Sequence, residues 1–288
     1  MLRRLALRHE NHYSYSSEVE RSHMYLCLKP RRSCSQEPDA FKIDVEPRGD
    51  LFHTVDGLGN FRHVLLVSRP HSNLSIISTA EVSLAETSRE SPGRPRSGED
   101  GWESPGIALL AVMKRDSELT RPSEELDSFL GEACLKPASS ARETAQRLES
   151  GLHELMDYVP GSTTVQSTAR ELLVTRKGVC QDFTHLSLAI LRHWGMPCRY
   201  VSGYVWNPVC ELNSPLASHA WAEVWDADAR RWEPLDATNP ASSKSAYITV
   251  AYGRDYNDVA PTRGVHSGFA NARLDVRVDI GELSENAP

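Results

Sequence analysis

The sequence predicts an α+β protein in two parts: an all-β, sandwich-like N-terminal domain, and a core in which a helix packs on an antiparallel sheet. Three observations carry this. Apolar residues alternate in short runs from about Leu5 to Leu84, a segment crowded with Ser, Pro, Gly and charge lies between Thr87 and Gly106, and beyond it the apolar period changes to that of helices before returning to strands. The expected organisation is a β domain over 1–86, a linker or exposed loop over 87–106, and a second domain over 107–288.

In the first part, Met24, Leu26 and Leu28 alternate, as do Phe41, Ile43 and Val45. After Gly57-Leu-Gly-Asn60 comes Phe61-Arg-His-Val-Leu-Leu-Val67, and Leu74, Ile76 and Ser78 continue the pattern. Pro and Gly punctuate these runs, which therefore read as strands, and no helical face emerges. In the second part, Ser140-Ala-Arg-Glu143 fits a capping box, and Ala145, Leu148, Leu152, Leu155 and Met156 recur on one helical face. A shorter helix is expected from Val165 to Thr175, ended by Arg176, Lys177 and Gly178. The next begins at or beside Cys180, carries Phe183, Leu186, Ile190, Leu191 and Trp194, and stops at Gly195 and Pro197. Strands follow at Tyr200–Trp206, His219–Trp225 and Trp232–Asp236.

With 288 residues the chain has room for more than one core, and 40% hydrophobic with 25% charged residues is the composition of an ordered globular protein. The net charge of −7 supplies no basic field for a phosphate backbone, which argues against a nucleic-acid partner. The apolar start is broken by Arg8, His9 and Glu10, and no run reaches the length of a membrane helix. A soluble, cytoplasmic protein is the expectation. The six cysteines, Cys27, Cys34, Cys134, Cys180, Cys198 and Cys210, are irregularly spaced and fit free thiols in a reducing compartment better than a disulfide framework.

Cys180 carries the chemical interest. A thiol becomes a nucleophile when its thiolate is stabilised, and a helix N-terminus does so through unpaired N–H groups and the positive end of the dipole. The backbone N–H of Cys180 could also donate to a developing oxyanion. His219 is the candidate base: it opens a strand whose face it shares with Trp221, Glu223 and Trp225. If this strand and the next form a symmetric hairpin centred between Ala227 and Asp228, Asp236 stands directly opposite His219, where a carboxylate can orient the imidazole. A register shift of one residue would turn Asp236 to the other face. On the substrate side, Gly178 would admit close approach of a backbone, and Gln181 and Trp221 are further binding candidates.

Gly178-Val-Cys-Gln-Asp-Phe-Thr-His185, Gly195-Met-Pro-Cys-Arg-Tyr-Val-Ser-Gly-Tyr204, Ser218-His-Ala-Trp-Ala-Glu-Val224 and Asp236-Ala-Thr-Asn239 together resemble the core of bacterial transglutaminase-like proteins, in the papain-like cysteine enzyme superfamily. Tyr25–Pro30, Asp56–Asn60 and Pro70-His71 resemble the β-rich N-terminal domain that accompanies that core, and Gly253–Asp258 and Arg263–Val265 are similar to its tail. Ala237 stands where the family usually has proline. The resemblance implies a papain/transglutaminase-like core and a thiol enzyme acting on amide or ester acyl groups of a peptide or protein, with Cys180, His219 and Asp236 as its catalytic triad and no cofactor. It does not choose between hydrolysis and transfer to an amine.

Plainer roles exist for each residue taken singly. A cysteine at a helix start is usually a small buried hydrophobe, His219 could be a satisfied histidine beside Trp221, and Asp236 could be a turn former before Asn239. Their joint placement is what those roles leave as coincidence. Zinc held by Cys180, His185, Cys198, Cys210 and His219 is disfavoured because no close paired spacing is present. Trp221, Trp225 and Trp232 could line a groove or pack beneath the sheet. A non-catalytic binding or scaffold module of the same fold is the remaining alternative.

Overall fold

The computed structural model describes residues 2–85, 105–207, 218–239 and 246–283. The linker expected over 87–106 falls almost wholly outside the described residues, as does Cys210.

Six strands open the chain: β1 (Leu2–Val19), β2 (Ser22–Leu26), β3 (Gln36–Glu46), β4 (Asp50–Val55), β5 (Phe61–Val67) and β6 (His71–Ala85). The second half contains α1 (Ile107–Met113), α2 (Glu125–Glu132), α3 (Ala141–Leu155), β7 (Asp157–Tyr158), α4 (Ala169–Thr175), β8 (Lys177–Gly178) and α5 (Cys180–His193). Strands β9 (Cys198–Trp206), β10 (His219–Asp226), β11 (Arg231–Leu235), β12 (Ala246–Gly253), β13 (Thr262–His266) and β14 (Ala272–Glu282) complete it.

The first domain is a sandwich of two four-stranded sheets, ordered β14-β1-β6-β3 and β13-β2-β5-β4. Tyr15, Met24, Leu26, Leu65, Val67, Leu74 and Ile76 fill the space between them. The alternation read from the sequence is this inward face. One boundary differs from expectation. Strands β13 and β14, placed in the second domain on sequence grounds, pair with β2 and β1 of the first. The reason is that β1 and β2 would otherwise present open edges, which the chain covers by returning one strand to each sheet.

The second domain is built on the sheet β11-β10-β9-β12. Helix α5 lies against it, buried from Gln181 to Arg192, and its Leu186, Leu188, Ile190 and Leu191 join Ala220, Ala222 and Val224 of β10 in one core. The helix is covered on every side, so its polar residues Asp182, Thr184, His185, Ser187 and Arg192 are buried along with the apolar ones. Ser140 caps α3 as the sequence predicts, its hydroxyl accepting from the Glu143 N–H at 3.1 Å. The Glu143 carboxylate accepts from Ser139 Oγ, so the other half of the expected box is replaced. Helix α4 starts at Ala169 rather than Val165, because Thr164 to Ser167 close a turn of their own through Ser167 N–H to the Thr164 carbonyl and Thr164 N–H to Ser167 Oγ. It ends with Arg176 in the left-handed region at φ 60°, and α5 ends with Gly195 at φ 73°.

Candidate active site

Cys180 is the first residue of α5, and the local sequence accounts for that start. Asp182, at the third helical position, accepts from the Val179 N–H at 2.8 Å and from Thr163 Oγ1 at 2.6 Å. This is half of a capping box, and it also ties the 160–165 segment to the helix N-terminus. Burial pushes the Asp182 carboxyl up against these two hydrogen bonds. Gly178 has a different reason from the one expected: a Cβ there would lie 2.8 Å from Asp182 Cβ and 2.9 Å from Asp182 Oδ2. It makes room for the cap rather than for a substrate.

His219 projects from the start of β10, and its Nε2–H donates to Asp236 Oδ2 at 2.7 Å. The remaining ring nitrogen, Nδ1, is not engaged by Asp236, and Cys180 is near enough to be among the side chains that raise the imidazole's pKa. Burial is the largest influence on His219 and opposes its charge. It is outweighed by the hydrogen bonds and charges of Asp236 and Cys180, so that the pKa is pushed up to about 10. The site therefore favours an imidazolium that donates to the Asp236 carboxylate.

The hairpin carrying this pair is offset from the symmetric one expected. Trp225 pairs with Trp232 and Asp226 with Arg231, so the turn is centred one residue later, and Ala222 is the partner of Leu235. Asp226 sets the turn, since its Oδ1 accepts from the N–H groups of Asp228 and Ala229, and Arg230 closes it at φ 51°. Asp236 therefore lies diagonally from His219 instead of directly opposite. The displacement amounts to two residues, which preserves the face, and the diagonal is within side-chain reach.

Asp236 is 5% exposed and fully engaged. Its Oδ1 accepts from Thr238 N–H, Thr238 Oγ1–H and Asn239 N–H, an Asx turn that bends the chain at the end of β11. Its Oδ2 accepts from His219 and from the Tyr247 hydroxyl at 3.0 Å. Asn239 Nδ2 donates in turn to the Tyr247 oxygen at 3.1 Å. Burial raises the carboxyl, but the bonds from His219, Thr238 and Tyr247 win and hold it below the usual carboxylate range. Helix α3 braces the same turn: Glu149 Oε2 accepts the Asp236 N–H at 3.1 Å, and His153 Nδ1–H donates to the Ala237 carbonyl at 2.9 Å. Ala237 is thus accommodated where proline was expected.

The other predicted residues separate. Trp221 is 3% exposed and lies stacked beside His219 with ring centroids 6.1 Å apart, its edge on Tyr247 at 5.1 Å, so it is a floor for the imidazole and not an open platform. Trp225 and Trp232 pack edge to face, with the Arg199 guanidinium over Trp232. Gln181 is buried, and its Nε2 donates to the Val165 carbonyl at 3.2 Å. His185 and Cys198 point elsewhere: Nε2 of His185 accepts from the Tyr256 N–H, and the Cys198 thiol donates to the Leu188 carbonyl. Among the described residues no group of three His, Cys, Asp or Glu converges as a metal site.

Four neighbours of the site were not read from the sequence: Tyr247, Thr238, Glu149 and Tyr158. Thr238 could have been found, because a hydroxyl two residues after an aspartate is an Asx-turn signal. Tyr158 pairs with Gly178 across β7 and β8 and is 54% exposed. Burial raises its phenol, followed by the charges of Cys180, Asp236 and Asp182.

With this geometry in hand, two family models match the chain: the transglutaminase-like superfamily core over residues 129–237, and the bacterial transglutaminase-like N-terminal region over residues 5–83. The Mycobacterium tuberculosis protein Rv2569c is 33% identical over 96% of this chain and 92% of its own length. The Mycobacterium leprae protein ML0607 is 31% identical over 98% of this chain and 99% of its own length. Among solved structures, a candidate cysteine protease from Cytophaga hutchinsonii superimposes with a TM-score of 0.75 at 20% identity, covering 100% of this chain and 93% of that one, which is a likeness of fold. No helix among the described residues is long and apolar enough to cross a membrane.

Proposed function

Because the chain belongs to the transglutaminase-like superfamily, in a form that carries the bacterial N-terminal β domain, we propose that it is a cysteine-dependent acyl-transfer enzyme acting on amide bonds of a peptide or protein. What supports this reading is the bond from His219 Nε2–H to the Asp236 carboxylate at 2.7 Å, in a chain whose Cys180 opens the buried helix packed against the strand that carries His219.

The Cys180 sulfur attacks the carbonyl carbon, forming a C–S bond as the carbonyl π electrons move to oxygen. The oxyanion so formed faces the N-terminal amides of α5, which have no partner within the helix, and the Cys180 N–H is the nearest of them. The His219 imidazolium gives its proton to the departing amine as the C–N bond breaks, leaving a thioester and a neutral imidazole. His219 then takes a proton from water, whose oxygen attacks the thioester; the C–S bond breaks with its electron pair going to sulfur, and the acid leaves as the thiolate and the imidazolium are restored. Asp236 keeps the imidazole oriented and charged when it should be. Hydrolysis is the preferred outcome because water needs no dedicated second-substrate site.

The test is turnover of peptide and protein libraries, followed by mass spectrometry that separates cleavage, loss of ammonia and crosslinking to an added amine. Cys180→Ala should abolish every one of these products while the chain keeps its fold. Products formed at the wild-type rate by that variant would end the proposal. Crosslinks in place of acids would convert it to amine transfer.

A further inference from the structure

Strand β12 is the outer strand of the sheet that holds the site, and its open edge meets side chains of the first domain. At Thr249 the edge N–H donates to Gln36 Oε1 at 2.8 Å, while Gln36 Nε2 donates back to the Thr249 carbonyl at 2.8 Å. At Tyr252 the N–H donates to Asn60 Oδ1 at 2.8 Å, while Asn60 Nδ2 donates to the Tyr252 carbonyl at 2.8 Å. Each carboxamide offers the strand the donor and acceptor pair that a residue of a neighbouring strand would offer.

First-domain groups fix the direction of both amides. Gln36 Nε2 also donates to the Arg31 carbonyl, and the Arg31 N–H donates to the same Thr249 carbonyl at 3.0 Å. Asn60 Nδ2 also donates to Asp56 Oδ2, and Asn60 Oδ1 accepts from the Arg31 guanidinium at 2.8 Å. Gln36 is 5% and Asn60 0% exposed, so neither bond competes with water.

These two rungs lead to the site. Thr249 pairs with Gly203, and Gly203 pairs with His219. Tyr252 pairs with Val201, and Val201 pairs with Trp221, the floor of the imidazole. Between the rungs the register of β12 shifts, with Val250 as the unpaired residue. The bulge interrupts the ladder between the rungs, and a slip of one residue there would turn Tyr247 to the other face, away from Asp236.

We propose that Gln36 and Asn60 are positioning residues for the thiol site: two side-chain amides of the first domain take the place of a fifth strand, lock β12 on both sides of its bulge, and through Tyr247 and Gly203 hold Asp236 and His219 in line. This rests on the reading of Cys180, His219 and Asp236 as the reacting groups, and it gives the β domain a part in the chemistry.

The experiment uses the full chain with Gln36→Met, which keeps the length of the side chain and removes both bonds to Thr249, alone and combined with Tyr247→Phe. Two quantities are measured per folded molecule: kcat, and the titration midpoint of His219 from its side-chain NMR shifts. Gln36→Met should lower kcat by about tenfold, the effect of losing one hydrogen bond's net contribution, with little change in KM. It should also lower the His219 midpoint. In the double variant the loss should be no greater than for Tyr247→Phe alone, since both act on one element. If Gln36→Met does not fold, Gln36→Glu keeps the acceptor for the Thr249 N–H, removes only the donor, and is measured in the same way. A variant that unfolds at lower temperature but keeps kcat and the His219 midpoint would make the amides simple adhesive and overturn the proposal, as would strictly multiplicative losses in the double variant. A wild type with no acyl turnover whose His219 midpoint still moves on Gln36→Met would remove the proposed function and leave the coupling standing.

Discussion

His219 and Asp236 are joined at 2.7 Å although they stand diagonally on their hairpin, because the turn centre moves by one residue and an Asx turn then bends the strand end back toward the imidazole. The bond is therefore built by a turn as much as by a sheet. Its charge is what matters to the imidazole. Asp236→Asn preserves size but cannot hold an imidazolium, and kcat should fall by roughly 10²- to 10⁴-fold, the usual worth of general acid–base assistance. Steady-state kinetics on any substrate found for the wild type measure this, and an undiminished kcat would remove Asp236 from the chemistry.

The pH dependence of stability follows from the same pair. The His219 pKa is raised from 6.5 to about 10 in the folded chain, so its contribution is fully present below about pH 6.5 and is lost as pH rises toward 10. The Asp236 carboxyl is held below 3.8, so its contribution is present above that value and is lost as pH falls through the lower folded-state range. Urea unfolding of the wild type should thus show stability declining between pH 6.5 and 10, and His219→Gln should flatten that decline. Equal slopes for the two proteins would show that His219 is not held as a cation. Cys180→Ala should lower the His219 midpoint, because Cys180 is one of the neighbours that raise it.

Tyr247→Phe tests the second donor on Asp236 Oδ2. The ring contact with Trp221 is kept and only the hydroxyl is removed, together with the acceptor for Asn239 Nδ2. A loss of about tenfold in kcat with KM nearly unchanged is expected, in line with one hydrogen bond to a charged group. A rise in KM at constant kcat would assign Tyr247 to substrate binding instead.

Gly203 is a packing requirement behind the site. A Cβ there would collide with the Ile248 carbonyl oxygen and lie 2.8 Å from Trp221 Cη2, and the first of these is backbone that cannot swing away. Gly203→Ala should destabilise the fold by about 1–3 kcal/mol, the ordinary cost of overpacking, and should also lower activity per folded molecule because β9 and β12 must part. Denaturant unfolding read beside kcat checks both. A variant with unchanged stability would mean that the strands tolerate separation.

The positions of the candidate site residues were legible because they obey local rules. Arg176 to Gly178 announce the end of one helix, Asp182 marks the start of the next, and the parity of β10 puts His219 on a defined face. The displacement by an even number of residues preserved that parity even though the hairpin centre was misplaced. What lay outside the sequence is set by tertiary contact. Tyr247 reaches Asp236 from a strand on the far side of β9, and no spacing in the chain marks that. Helices α1 and α2 are too short for a period to repeat, α2 having only Leu126, Phe129 and Leu130 on its buried face, and β4, exposed along its whole length, has no buried face to alternate. The return of β13 and β14 to the first domain depends on open edges hundreds of residues earlier in the chain. Turn centres escape for a similar reason: the four-residue connection from Ala227 to Arg230 is fixed by a side-chain cap from Asp226, which turn composition alone does not specify.

Tyr158 separates binding from chemistry. It is 54% exposed and pairs with Gly178, two residues before the thiol, so its ring is open to solvent beside the segment that leads into α5. An aromatic face there contributes apolar contact of about 0.5–1.5 kcal/mol to a long substrate and nothing to a small reagent that needs only the sulfur. Tyr158→Ala should therefore raise KM for a peptide by about two- to tenfold, while the alkylation rate of Cys180 by iodoacetamide, followed on its own tryptic peptide, stays at the wild-type value. Equal losses in both rates would mean that the substitution disturbs Cys180 itself through the pairing of β7 with β8. Loss in neither would leave Tyr158 without a role in binding.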